Sequence, residues 1–306
     1  MAVNMTAVNV PMDDWVAGGD GKVRGSDPEG NEGTQDETIL ANILYSNNFE
    51  SESSGTVTTT TNLNLLSVNS ASLQAFDDSK SVSGTSQSIR DDLITTAREC
   101  YGWRLDFSDY GEEIRISEGD EVWVRFAMFF ETGFDFTIAE GPENAPSVKW
   151  LAFEDDTVSG RTYINPMAES GPATDWYYDA EGVSSDDVSD ITGGTGNILR
   201  NVWQTWEVRL KMSKIGDGEV DLWRDGVKVA SLTNLTNIHS SGSYFYKFNM
   251  GKYWNEEPTQ EQSMWWDNHA VAVKTSGANG GDARDDTAHM ALDPSGNPFI
   301  GEAIQA

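Results

Sequence analysis

From residue 101 to about 275, apolar and polar side chains alternate over short runs, the pattern of β-strands with one face turned to a core. In EVWVRFAMFF, 121–130, Val122, Val124, Phe126 and Met128 share one face and Trp123, Arg125, Ala127 and Phe129 the other. Both faces are partly apolar, which predicts a central strand backed by a groove or a second layer. WQTWEVRLKMS, 203–213, sets Trp206, Val208, Leu210 and Met212 against Glu207, Arg209 and Lys211, predicting a half-exposed strand. Further strands are predicted at ILYSNNFES (43–51), YGWRLDF (101–107), VKWLAFE (148–154), RTYINP, the aromatic run at 176–178, YFYKFNM (244–250) and MWWDNHAVAVK (264–274). Asp225-Gly226 inside EVDLWRDGVKVASL marks a hairpin, because glycine accepts a positive φ without steric cost. SIRDDLITTAREC reads equally as a short helix or as a strand followed by a turn. Nothing resembling repeated amphipathic helices separates these runs, so the pattern predicts an all-β antiparallel sandwich rather than an α/β fold.

Composition sharpens the boundaries. Residues 1–42 form an acidic, Gly-rich N-terminal arm, 43–275 the sandwich domain, and 276–306 a polar C-terminal extension. With 38% hydrophobic residues the chain can bury a sizeable core. Fifty Asp and Glu against 20 Lys and Arg give a formal charge of -30, which repels nucleic acid and anionic membrane surfaces. No run approaches the roughly 18 apolar residues of a spanning helix, so membrane insertion is not expected. The start MAVNMTAVNVPMDDW lacks a basic leader, so classical secretion is not expected either. Cys100 is the single cysteine, which excludes an intrachain disulfide framework.

The order of the strands resembles the concanavalin-like jelly roll of polysaccharide lyases, especially the alginate and glucuronan lyase group related to those of large algal viruses. The resemblance rests on NNFES, on the wide strand EVWVRFAMFF before Gly133-Phe134-Asp135, on the Asp-Gly hairpin and on a closing strand with Trp266-Asp267. It implies that a Lys, a Ser-x-Arg and a Tyr-x-Tyr on one sheet carry out elimination. The matching positions are Lys149, Ser159 with Arg161, and Trp176 with Tyr178. Trp176 departs from the pattern, standing where the first tyrosine is expected. Tyr177 takes that role only if the register slips by one residue, which turns it to the opposite face. The resemblance also implies a structural Ca2+ beside the first and last strands, with Glu50 and Asp267 as its acids.

Elimination from a uronate requires neutralising the C5 carboxylate, removing the C5 proton and protonating the departing oxygen. Arg161 and Lys149 supply positive charge and Tyr178 a proton-transfer group. Against this stands the plain alternative that Lys149 and Arg161 are strand residues paired with Glu154, Asp155 or Asp156, Lys149 lying over Leu151 and Phe153. Trp176, Tyr177, Trp203, Trp223, Tyr253 and Trp254 are candidate sugar platforms, with core packing the competing role for each. His239, His269 and His289 do not have a metal-site spacing, and His269 reads as an inter-sheet histidine. No compact pair of acids nominates a glycoside hydrolase.

The sequence therefore points first to a non-catalytic glycan-binding or assembly module, a virion appendage or tail-associated adhesion protein. Its expected partners are a polysaccharide or cell-surface glycan and either copies of itself or other virion proteins. The expected location is the virion, with a non-classically secreted or cytoplasmic protein as the alternative. Two other readings stay open: a polysaccharide lyase cleaving a uronic-acid polymer by β-elimination, and a purely structural jelly roll.

Overall fold

The computed structural model describes residues 15–17, 23–25, 42–47, 55–56, 65–67, 73–82, 86–96, 102–106, 115–137, 148–157, 160–168, 174–181, 183, 189–190, 198–225, 227–239, 242–254 and 257–274. Its early strands are β1 (Trp15–Ala17), β2 (Val23–Gly25), β3 (Asn42–Asn47), β4 (Gly55–Thr56), β5 (Leu65–Ser67), β6 (Leu73–Asp77), β7 (Ser88–Leu93) and β8 (Gly102–Asp106). The longer ones follow: β9 (Glu121–Phe130), β10 (Val148–Asp155), β11 (Arg161–Ala168), β12 (Thr174–Glu181), β13 (Ser189–Asp190), β14 (Trp203–Lys211), β15 (Gly218–Arg224), β16 (Val227–Leu235), β17 (Phe245–Trp254) and β18 (Gln262–Lys274). Among the described residues, β1 and β2 pair only with each other. Seven strands in the order β13-β12-β11-β10-β17-β8-β5 make one antiparallel sheet. The other runs β16-β15-β14-β9-β18-β7-β6-β4, with β3 also pairing β18. The expected antiparallel sandwich is thus present, and the ambiguous segment at 88–100 begins as strand β7 and then turns at Thr95 and Thr96.

The inner faces meet through large rings. Trp150 of the seven-stranded sheet lies 4.6 Å from Trp266 of the nine-stranded one, and Trp176 lies 5.2 Å from Trp206, centroid to centroid. Val122, Val124, Phe126 and Met128 face this core together with Val208, Leu210 and Met212, as their alternation predicts. The expected hairpin joins β15 and β16, which pair up to Arg224 and Val227, and Asp225 takes φ 50° and accepts a hydrogen bond from Thr205 N–H at 2.8 Å through Oδ1.

The outer side of β14 corrects the expectation of a half-exposed strand. Glu207 and Arg209 are only 4% and 7% exposed. Arg209 bonds Glu121 through two nitrogens, at 3.0 and 3.2 Å, and reaches Glu219 at 2.7 Å and Asp221 at 2.6 Å. Trp123 and Trp223 stack beside it at 5.6 Å. Charges on neighbouring strands satisfy one another, which lets a polar face close over itself. At the open edge, β16 carries Lys228 and two register shifts against β15, features that discourage edge-to-edge pairing.

One turn depends on a glycine. Asp155, at the end of β10, is buried and accepts hydrogen bonds from Thr157 N–H and His239 N–H, each at 2.9 Å. A Cβ on Gly160 would lie 1.9 Å from Asp155 Oδ2. Gly160→Ala is therefore expected to displace that carboxylate and to destabilise the fold by about 1–3 kcal/mol, read as a lower urea midpoint at unchanged slope.

Candidate functional site

The outer face of the seven-stranded sheet collects most of the chemistry. Register places Tyr163 opposite both Ala152 and Asp179, Asn165 opposite Tyr177, and Arg161 opposite both Glu154 and Glu181. Asn249 lies opposite Ala152, and Lys247 opposite Glu154. Because side chains alternate along a strand, all of these share one face, while Leu151, Phe153, Ile164, Trp176 and Tyr178 turn into the core.

Lys149 joins this face through an irregularity. The β10–β17 ladder shifts register between Lys149 and Leu151, so that Gly251 and Lys252 lie opposite the single residue Trp150. Trp150 and Leu151 both enter the core, which breaks the strict alternation there. Lys149 consequently does not lie over Leu151 and Phe153, as simple alternation had it. Its Nζ is 3.2 Å from Asp179 Oδ2, 4.0 Å from Glu181 and 4.0 Å above the Tyr163 ring.

Further along, Arg161 is 3.9 Å from Glu154 and 3.8 Å from Glu181. Burial alone would lower the pKa of its guanidinium, but Tyr163, Glu154 and Glu181 outweigh that and raise it above the ordinary value. Lys247 reaches Glu154 at 3.1 Å, and Asn249 donates to the same carboxylate at 2.8 Å. Burial lowers the pKa of Lys247 too, and Tyr246 with Glu154 more than restores it. In a chain of formal charge -30, Lys149, Arg161 and Lys247 thus pair on this face with Asp179, Glu181 and Glu154.

Other expected site residues lie elsewhere. Tyr178 is 2% exposed, belongs to the core and donates its hydroxyl to Thr236 C=O at 3.4 Å, so it cannot meet Lys149 on the outer face. Tyr177, one residue earlier, does face that way, which is the one-residue slip considered for the family pattern. Trp176 is fully buried against Trp206, with no ring face left for a sugar. Trp223 is likewise covered, stacked on Trp123. Trp203 remains half-buried, 5.7 Å from Phe129 on the nine-stranded sheet. Tyr253 and Trp254 belong to β17, opposite Lys149 and Val148, but their side chains lie outside the described residues. Ser159 and Glu50 lie outside them as well.

Asp267 is fully buried and accepts hydrogen bonds from Asn268 N–H at 2.7 Å and Val82 N–H at 3.3 Å. A calcium ion needs six or more oxygens, and among the described residues no three His, Cys, Asp or Glu side chains converge. His269 is buried between strands, and desolvation pushes its pKa down to about 3, consistent with a neutral inter-sheet histidine.

Four members of the face, Tyr163, Asn165, Asp179 and Glu181, were not singled out from the sequence. The signal was available in the period-two spacing of Arg161-x-Tyr163-x-Asn165 and Tyr177-x-Asp179-x-Glu181, which puts each trio on one side of its strand.

A family model described as polysaccharide lyase matches residues 46–270. No curated protein matches the chain. Among solved structures, a mutant of alginate lyase Aly36B in complex with alginate tetrasaccharide superposes with a TM-score of 0.54 at 13% identity, covering 76% of this chain and 96% of that one. A second Aly36B mutant, with alginate trisaccharide, gives 0.55 at 12% identity over 78% and 100%. Endo-β-1,4-glucuronan lyase from the fungus Trichoderma reesei gives 0.50 at 15% identity over 77% and 97%. At these identities the likeness establishes a shared fold.

Proposed function

The chain belongs to the polysaccharide lyase family, and we propose that it cleaves a uronic-acid-containing polysaccharide by β-elimination on the outer face of its seven-stranded sheet. The observation that carries this reading is the gathering of Lys149, Arg161, Tyr163 and Tyr177 on that one face. In this scheme Lys149 and Arg161 offset the uronate charge, lowering the cost of the carbanion that forms when C5 loses its proton. Tyr177 takes that proton and returns one to the glycosidic oxygen as the C4–O bond breaks, leaving one new chain end and one 4,5-unsaturated uronate. No oxidant or second substrate is needed.

A second reading keeps the glycan and drops the chemistry. It is favoured by the 3.2 Å pair between Lys149 and Asp179, which engages the lysine within the protein. The chain is then a binding module, for which a virion appendage or adhesion protein is the proposed setting. Incubation with alginate, glucuronan and glycosaminoglycans, with and without Ca2+, separates the two. Elimination produces a sustained ultraviolet rise from the unsaturated uronate, and Lys149→Ala or Arg161→Ala is expected to lower its rate by roughly 100-fold or more. Affinity for a polymer without that rise selects the binding module, and neither signal removes both.

A further inference from the structure

We infer that the outer face of the nine-stranded sheet carries a second polysaccharide-binding surface, in which Trp203 stacks on a sugar ring and the Lys80 ammonium holds a carboxylate of the same polymer. The inference rests on the acidic-polysaccharide class proposed above and adds to it a surface on the opposite side of the sandwich from the proposed elimination face.

Three rings line up across adjacent strands there. Register sets Phe129 of β9 opposite both Trp203 of β14 and Trp265 of β18. Met128, Phe130, Met264 and Trp266, their neighbours along the strands, enter the core, so the three rings turn outward. Phe129 lies 5.7 Å from Trp203 and 5.5 Å from Trp265, centroid to centroid. Phe129 and Trp265 are nearly covered, at 7% and 6% exposure, whereas Trp203 keeps part of its surface open. Leu199 and Val202, which lead into β14, are exposed. The Trp203 indole N–H makes no hydrogen bond among the described residues. A partly open aromatic ring with an unused polar edge suits a sugar, whose C–H face packs on the ring while a hydroxyl accepts from the N–H.

Lys80 supplies the charge. The turn between β6 and β7 is pinned by Ser88 Oγ, which donates to Lys80 C=O at 2.7 Å, and by Val82 N–H, which donates to Asp267 at 3.3 Å. Lys80 Nζ then sits 4.4 Å from the Phe129 ring centroid and 5.1 Å from that of Trp265. Among the described residues this ammonium has no ion pair and no hydrogen bond. Lys149, Lys211, Lys228 and Lys247 each pair with a carboxylate, and Lys214 donates to Gly242 C=O. Lys80 is therefore the described lysine held on rings instead, in a chain with 50 acids against 20 bases. The ring faces attract the cation and leave its three N–H donors for a stronger acceptor. Asp77 and Asp92, on the adjoining strands, are already engaged: Asp77 accepts from Trp265 Nε1–H at 2.7 Å and Ser79 N–H at 2.8 Å and pairs with Arg90, which also holds Asp92. A carboxylate on the ligand completes the ammonium. Phe129 is the ring between Lys80 and Trp203, so one polymer chain meets both.

Retention on immobilised alginate and on its carboxyl-reduced form tests this at low salt, with Lys80→Met and Trp203→Ala each carried on Lys149→Ala so that the polymer stays intact. Lys80→Met is expected to weaken retention on alginate by roughly threefold to tenfold, less as salt rises, and to leave retention on the reduced polymer unchanged. Trp203→Ala is expected to weaken both by roughly threefold to tenfold, since stacking does not need the charge. On the Lys149 background, cleavage of a short alginate oligomer, too short to reach a second face, stays unchanged when Lys149 is restored. Full retention in both variants overturns the inference, as does equal loss on both polymers in Lys80→Met. A change in sedimentation coefficient for Trp203→Ala without polymer assigns the face to a second copy of the chain and also overturns it. Should the variants fail to fold, acetylation of Lys80 in the wild-type protein, read by mass spectrometry, decides the matter: alginate slows it if the ammonium is used and leaves it unchanged if it is not. Wild-type cleavage with retention untouched by either variant removes this surface and leaves elimination standing. Retention that depends on Lys80 without any wild-type cleavage does the reverse, and neither retention nor cleavage removes both.

Discussion

Arg209→Met is expected to cost the fold about 3–5 kcal/mol, because it strands buried carboxylates that the guanidinium holds together. The side chain is 8% exposed and holds Glu121, Glu219 and Asp221 within 3.2 Å. Methionine fills much of the space but leaves three clustered carboxylates, of which Asp221 keeps Lys228 as a partner. Equilibrium urea unfolding measures the loss. Arg161→Met is the internal control: that side chain is a third exposed and its pairs are 3.8 and 3.9 Å long, so about 1 kcal/mol or less is expected.

The pH dependence of the same experiment has a definite sign. Burial would raise the pKa of Asp221, but Lys228, Ser231 and Arg209 outweigh it, so the folded value lies below the ordinary aspartate range. A depressed carboxylate contributes stability above its unfolded pKa, and that contribution disappears as pH falls through the folded value. Losing Arg209 removes part of the depression. The deficit of Arg209→Met is therefore expected to be largest near neutrality and to narrow below about pH 4. A deficit that stays constant down to acid unfolding overturns the electrostatic account and leaves lost packing against Trp123 as the cause.

Tyr177→Phe is expected to reduce the proposed elimination by roughly 100- to 10,000-fold, while Tyr178→Phe leaves it essentially unchanged. The two residues are chain neighbours and chemically identical. They differ in the face to which the strand turns them: Tyr177 accompanies Asp179 and Asn165, and Tyr178 packs in the core with its hydroxyl on Thr236 C=O. Tyr178→Phe should show a modest loss of stability from the missing hydrogen bond, about 1 kcal/mol, and nothing in kcat. The reverse result, with Tyr178→Phe inactive and Tyr177→Phe active, would contradict the register between β11 and β12. Loss of activity in both with preserved folding would point to a requirement for the aromatic pair as a unit.

Period-two alternation by itself determined the antiparallel sandwich and its inner face, because burying one side of a strand forces apolar residues to every second position. Val122, Val124, Phe126 and Met128, and Trp206, Val208, Leu210 and Met212, were legible for that reason. The Asp225-Gly226 hairpin was legible because its turn conformation restricts residue type.

Charged and aromatic residues on the outer faces were not legible in the same way. Alternation says which side of a strand a residue takes, but not what lies beside it on the next strand. Arg209 looked solvated until β9 and β15 brought Glu121, Glu219 and Asp221 to it, and Trp176 and Trp223 lost their sugar-platform role to packing partners far away in sequence. The site itself turned on one register shift. Sequence placed Lys149 with Leu151 and Phe153, but Trp150 and Leu151 both enter the core, and Lys149 meets Asp179 on the other side. A bulge of this kind depends on how β17 pairs with β10, an interaction between segments about 100 residues apart, and only the tertiary structure fixes it.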